Sequence, residues 1–341
     1  MKRIFVFILI VPLFMIGNNA CKKKVEKPIS KLDTAIYNPT AYHFVNPTDF
    51  PYMQLSTSNP MTVEGIRLGR MLYYDNIIDK YQARSCGTCH HQDKAFSTPG
   101  NIIPHINIGY SSYFLWNGGV KGTIEDAMKF EVEEFFETNV SYLNADAEYP
   151  YYFFKAFGTK QITAQQVAYA LAQFIRTLVS GNSKFDKFLR EEVNFSNQEL
   201  DGFNLFYSEA GDCFHCHGVM LFTDQDFHNT GLDTTFTEAN YGRYTVTGNP
   251  MDKGKFKTPT LRNIELTGPY MHDGRFHSLE QVIDFYNAPT VMSATLDPIM
   301  SKPNHLSGLN LTDYQKQSLI AFLKTLTDTS FTINTDFSNP F

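Results

Sequence analysis

Apolar positions repeat with a helical period at two places in the chain, and a capping signal precedes each. Val167, Ala170, Leu171, Phe174, Ile175 and Leu178 fall at i, i+3, i+4, i+7, i+8 and i+11, after a Thr163/Gln166 capping box and before Gly181. The second run, Leu319, Phe322, Leu323 and Leu326, follows Thr312 and Gln315 in the same way. Ser196 and Glu199 form a third capping box and predict a helix over about residues 197–209. By contrast, the Gly-, Thr- and Asn-rich stretch 227–263 has neither a helical nor a strand period and reads as loop with short strands at most. The segments "AQFIRTLVSG" and "IAFLKTLTD" are alike, as are "CHHQDKAFST" and "CHGVMLFTD". The pattern predicts a mainly α protein built from two similar halves, with the seam near residues 181–194.

Composition narrows this picture. With 341 residues, 43% of them hydrophobic and 15% aromatic, the chain can bury a core and is not disordered. A net charge of −6 argues against binding to nucleic acid and favours a basic soluble partner. At the N-terminus, Lys2 and Arg3 precede an apolar run from Ile4 to Ile16. Those thirteen residues would rise about 20 Å as a helix, short of the roughly 30 Å hydrocarbon core of a bilayer. Residues 1–20 therefore read as a signal peptide. Ala20, Cys21 and the following lysines resemble a bacterial lipoprotein cleavage site, with Asn18 where Leu is usual; plain secretion with an incidental Cys21 is the alternative. Both readings export the protein, the first as a lipoprotein held at the membrane on the periplasmic side. Residues 21–47 would be the tether, 48–190 the first domain and 191–341 the second.

The remaining four cysteines lie in two C-x-x-C-H strings, Cys86-Gly87-Thr88-Cys89-His90 and Cys213-Phe214-His215-Cys216-His217. This is the attachment signal for c-type haem. Two thiols one helical turn apart add to the two vinyl groups of one porphyrin, and the adjacent His becomes the proximal iron ligand. A thioredoxin-like pair would need one such string without the His. A zinc site would have to join residues 127 positions apart, and paired disulfides are open to an exported chain. Two copies favour two covalently bound haem c groups, one in each half. The fold expected is two cytochrome-c-like haem domains in tandem, joined and crossed by long irregular loops.

From about Pro47 to Leu326 the chain resembles the bacterial dihaem cytochrome c peroxidases, including MauG-type enzymes. The resemblance rests on "NPMTVEGIRLGRMLYYD", "CGTCHHQDKAFS", "LWNGG", "FHNTGL" and above all "KFKTPTLRNIELTGPYMHDGRFHSLEQVIDFY". It implies that the haem on His90 reacts with hydrogen peroxide and that the haem on His217 receives electrons from a small c-type cytochrome or cupredoxin. It places Trp116 between the haems as an electron relay. It implies one calcium ion, held by Asn101 and the backbone carbonyls of Thr267 and Pro269. It also implies an acid/base carboxylate in the run containing Glu131, Glu133, Glu134 and Glu137, with Glu137 aligned and Glu134 next. Members of the family are often homodimers.

Two departures bear on mechanism. The loop between Cys89 and Asn101 is short, and the His that blocks the peroxidatic haem in reductively activated enzymes falls in the missing piece; neither His91 nor His105 aligns with it. The distal ligand of the second haem aligns with Tyr286, with Met292 and Met300 as alternatives. His272 would be a hydrogen-bonding neighbour of that haem, Arg243 and Arg262 partners of haem propionates, and His228 and His277 structural or surface residues. The functions that remain are a peroxidase, a MauG-type enzyme that oxidises a partner protein, and a non-enzymatic dihaem electron carrier.

Overall fold

The computed structural model describes residues 30–98, 102–218 and 220–341. The signal peptide, Cys21 and Asn101 lie outside the described residues. The chain is mainly helical, and the described strands are two-residue pairs: Tyr113–Phe114 with Val120–Lys121, and Phe227–His228 with Phe256–Lys257.

Each half is organised by one helix crossing. The helix Val63–Tyr74 starts at Thr62, whose hydroxyl accepts from the Gly65 N–H, and packs on the helix Ala164–Arg176. At the crossing Gly69 lies so close to the Ala170 carbonyl that an added Cβ would sit 1.9 Å from its oxygen. In the second half Asn197–Phe206 packs on Asp313–Lys324, and a Cβ on Gly202 would sit 1.8 Å from the Ser318 carbonyl oxygen. All three predicted capping boxes form.

Both closing helices stop earlier than their apolar period. Thr177 returns its hydroxyl to the Phe174 carbonyl at 2.6 Å, and Thr325 does the same to Phe322 at 2.6 Å. Each threonine takes a carbonyl that another helical turn would have used. Leu178 and Leu326 are therefore buried just beyond their helices, and Gly181 caps nothing. The helix from Asn197 likewise ends at Phe206, where Ser208 bonds back to the Leu205 carbonyl.

Buried side chains gather in two clusters. One runs from Leu68 to Leu178, the other from Phe185 to Leu326. The C-terminal segment crosses back to the first: Phe331 and Phe337 pack on Phe96, and the Arg70 guanidinium donates to the Ser338 carbonyl.

A buried ion pair braces the second half. Arg262, fully buried, donates through both terminal nitrogens to Asp186, at 3.0 and 2.9 Å. Removing one member of such a pair strands a charge, so Asp186→Ala should destabilise the protein by about 3–5 kcal/mol in a urea titration. Replacing both residues with apolar groups should cost much less.

Candidate active site

The two C-x-x-C-H strings fold into the same device by different local routes. Cys86–Cys89 is a single helical turn capped by Ser85, and the His90 N–H reaches the Cys86 carbonyl at 2.8 Å. Ala95 and Phe96 then both take left-handed conformations, which turns the chain back and aims the Phe96 carbonyl at the imidazole. His90 Nδ1 lies 2.8 Å from that oxygen. In the second string Cys213–His215 is a 3-10 turn, the His217 N–H reaches the Cys213 carbonyl at 3.0 Å, and Nδ1 lies 2.9 Å from the Phe222 carbonyl. A carbonyl can only accept, so in both residues Nδ1 carries the proton and Nε2 presents its lone pair. That arrangement fixes the tautomer and orientation a metal-ligating histidine needs. Burial holds both imidazoles neutral, moving His90 down to about 4 and His217 in the same direction.

The rival readings of the cysteines fail on geometry. No disulfide joins the four cysteines, and the one metal-capable group that includes any of them among the described residues, Cys216 with Asp224 and His228, does not reach the other string.

Around the second string lies a mainly apolar cavity lined by Cys213, Cys216 and His217 together with Trp116, Tyr286 and Met300. Met292 is exposed and does not line it, which leaves Tyr286 and Met300 as the candidates for a distal ligand. Burial, and then the nearby Cys216 and Cys213, make the Tyr286 phenol harder to ionise in the free protein. Thr267 and Pro269 line the same cavity.

Polar atoms in this cavity fit a macrocycle carrying two carboxylates. His272 Nε2 and His305 Nδ1 are buried without a hydrogen-bond partner among the described residues. Lys257, only 5% exposed, also faces the cavity, with burial lowering its ammonium to about 8. A haem bound through Cys213 and Cys216 would meet these groups. Arg243 and Arg262, by contrast, do not line this cavity. Arg243 donates to the Asn117 and Gly118 carbonyls, and Arg262 to Asp186. The reading of Arg262 as a haem partner is corrected: the Met220 carbonyl and the Asp186 carboxylate take up its donors.

His305 has no period or motif around it and was not singled out from the sequence. Its Nε2 lies 2.6 Å from the fully buried Asp212 carboxylate. The only sequence clue was that Asp212 immediately precedes Cys213. His228 bridges Asp224 and Asp297 at 2.8 and 2.6 Å. Burial opposes its charge, but the two carboxylates hold its imidazolium up to about 12, which makes it a structural strut. His277 is exposed, as expected.

At the first string, His105 stacks flat on His90, with ring centroids 3.5 Å apart and 17° between planes, and its Nδ1 meets the Tyr73 hydroxyl at 3.0 Å. With metal–nitrogen bonds of about 2 Å, imidazoles on opposite faces of one iron have nitrogens about 4 Å apart and ring centres farther still. His105 in this position is therefore not placed as a ligand opposite His90. His91 is turned away, with Nε2 on the Thr88 carbonyl.

The acidic run is divided by burial. Helix Ile124–Phe130 widens into a π-helical turn, Glu131–Phe135, closed by the Phe136 N–H on the Glu131 carbonyl at 2.8 Å. Such turns often mark functional sites. Glu131 is half-buried, and its carboxyl is raised to about 7 by burial against an opposing pull from Arg84. Its charge is felt at the Cys86 thiol, which burial and then Glu131 push upward. Glu133 and Glu134 are exposed. Glu137 is exposed and paired with Lys80 at 2.7 Å.

Comparison with known proteins agrees with this arrangement. The profile of the di-haem cytochrome c peroxidase family matches residues 63–194. The chain is 31% identical over 304 residues to the methylamine utilization protein MauG of Methylorubrum extorquens, covering 83% of each chain. It is 32% identical over 298 residues to the cytochrome c551 peroxidase of Nitrosomonas europaea, covering 81% of this chain and 84% of that one. Among solved structures, a MauG-like protein associated with microbial copper homeostasis superposes with a TM-score of 0.80 at 30% identity, over 88% of this chain and 99% of that one. With two identically oriented proximal histidines and relatives of this length and identity, the chain belongs to the di-haem cytochrome c peroxidase family that includes MauG.

Proposed function

We propose that this protein is an exported dihaem c-type peroxidase that reduces hydrogen peroxide to two waters, taking two electrons from a small c-type cytochrome or cupredoxin and two protons from solvent. The observation that carries the reading is the repeated C-x-x-C-H device, each with its His Nε2 left free. Haem, when bound, supplies the redox-active iron at which peroxide is cleaved. Residues 48–190 would hold the peroxidatic haem and 191–341 the electron-transfer haem. A lipid on Cys21 would keep both on the periplasmic face of a membrane.

The chain's own residues divide the remaining work. His90 and His217 bind through Nε2. Tyr73 and the stacked His105 fix the orientation of the His90 ring. Glu131 would be the acid/base that holds and returns the proton passed between the two peroxide oxygens, and Glu137 beyond the same turn is the alternative. Trp116 carries charge between the two haems. Thr267 and Pro269, with Asn101, would hold calcium through oxygen alone, which suits a hard cation.

The test is oxidation of reduced cytochrome c by peroxide, using protein whose intact mass shows two haem additions. Absence of turnover from both oxidised and prereduced protein would overturn the assignment. A non-enzymatic carrier would bind neither cyanide nor peroxide.

A second reading is favoured by Tyr286 in the second cavity, by the place of His105 beside rather than opposite His90 and by the MauG relatives. On that reading the same centre oxidises a partner protein. A phenolate is a hard donor that favours ferric iron and lowers the potential. Tyr286→Phe should therefore raise the midpoint potential of the second haem and change its ferric absorption spectrum. An unchanged spectrum would transfer the ligand role to Met300.

A further inference from the structure

Trp116 is the only tryptophan in the chain, and its position depends on a residue 127 places away. It sits in the short hairpin between Tyr113–Phe114 and Val120–Lys121, in the first half of the sequence. Its wall of the cavity, however, belongs to the second string. Contacts with the second half hold the hairpin there. The Trp116 carbonyl accepts from the Lys257 N–H at 2.8 Å, which ties it to the strand pair of the second half. Arg243 then fastens the next two residues, donating through one terminal nitrogen to the carbonyls of Asn117 at 3.0 Å and Gly118 at 2.8 Å.

The arm that does this is itself fixed at both ends. The Arg243 N–H is anchored on the Lys255 carbonyl at 2.8 Å, beside Phe256–Lys257. Its guanidinium lies between two rings, 4.4 Å from the centroid of Phe227 and 5.2 Å from that of Tyr113. Those rings meet edge to face at 5.3 Å. A planar cation over aromatic faces gains attraction, and the two hydrogens of one terminal nitrogen serve the two carbonyls. Space is exhausted at Gly118, whose positive φ suits glycine and where a Cβ would lie 2.3 Å from Phe227 and 2.7 Å from the guanidinium. Asn117 adds a bond from its side-chain amide to the Thr245 hydroxyl at 3.0 Å.

We infer that Arg243 is the positioning residue for Trp116, clamping the hairpin of one half onto the strand pair of the other and so setting the separation across which charge passes between the haems. The second clause rests on the relay role given to Trp116 above. Transfer between redox centres falls with their separation, so a displaced relay residue slows it.

The haem-loaded protein provides a direct readout, because tryptophan emission here comes from one residue and is quenched by energy transfer to haem. In Arg243→Leu, emission and its lifetime should increase while both haems stay attached with unchanged ferric spectra. Electron transfer from the reduced second haem to the peroxide-oxidised first haem, followed by stopped-flow absorbance, should slow several-fold. Arg243→Lys, which keeps the charge but loses the planar packing on Phe227 and Tyr113, should fall between. Gly118→Ala, which displaces the guanidinium by crowding, should reproduce the effect with Arg243 intact and serves where Arg243→Leu loads haem poorly. Wild-type emission in both Arg243→Lys and Gly118→Ala would overturn the clamp. Raised emission with unaltered transfer would uphold the clamp and refute the relay role of Trp116, which Trp116→Phe tests independently.

Discussion

Glu131→Gln should lower peroxide turnover by about 10²–10⁴-fold, the range that a positioned acid/base contributes, while both haems remain attached. Glu137→Gln should stay near the wild-type rate. Family alignment alone would give the reverse order, so this pair of variants separates alignment from environment. A carboxylate half-exposed and tied to Lys80 has a partner and solvent already. Glu131 has neither an ion pair within bonding distance nor full solvation, and burial brings its proton affinity to about 7, where donation and acceptance are both accessible. The sign of the pH effect follows. The base must be ionised to take a proton from peroxide, and burial disfavours the ionised form, so turnover should rise with pH through about 7. In Glu131→Gln that limb should vanish and the residual rate should be flat across it. A pH–rate profile on the haem-loaded protein checks this; a limb that survives in Glu131→Gln but disappears in Glu137→Gln would return the role to Glu137.

The contrast between these two glutamates shows which parts of the molecule were legible in the sequence. What repeats locally could be read: the capping boxes at Thr163, Ser196 and Thr312 form, because each needs only four consecutive residues. The two C-x-x-C-H strings were legible for the same reason, since thiol spacing and the trailing His are set within one turn. What depends on packing could not be read. No local signal distinguishes Glu131 from Glu133, Glu134 or Glu137; a π-helical turn and the elements around it decide which is buried. His305 is invisible until Asp212 is seen beneath it. Arg262 was read as a partner for a charged cofactor, yet the Met220 carbonyl and Asp186 take its donors. The helix ends failed through a subtler competition. The apolar period continues to Leu178 and Leu326, but the hydroxyls of Thr177 and Thr325 take the carbonyls that would have continued the helices.

Gly202→Ala should be among the most damaging single-methyl changes in the protein, with Gly69→Ala its counterpart in the first half. At each crossing the atom in the way is a backbone carbonyl oxygen on the closing helix, 1.8 Å from the added Cβ at Gly202 and 1.9 Å at Gly69. Behind it stands the Cβ of Phe322 or Phe174, 2.9 Å away in both cases. A flexible side chain could rotate aside; a carbonyl inside a helix cannot move without separating the two helices. Alanine would gain helix propensity of up to about 1 kcal/mol over glycine, but overpacking a rigid contact costs about 1–3 kcal/mol and occasionally more. Contact with backbone places these sites at the upper end, so the net loss should be about 2–3 kcal/mol. For a domain of this size that lowers the melting temperature by roughly 4–12 °C. The consequence extends to the cofactor. The helix carrying Gly202 leads into Cys213 and the helix carrying Gly69 into Cys86, so separating either pair should lower the yield of haem attached to that string alone. Intact mass would show a rise in the one-haem species, and peptide mapping would locate the empty string: the second in Gly202→Ala, the first in Gly69→Ala. Equal loss from both strings in either variant would mean that the halves do not fold as separate units around their crossings.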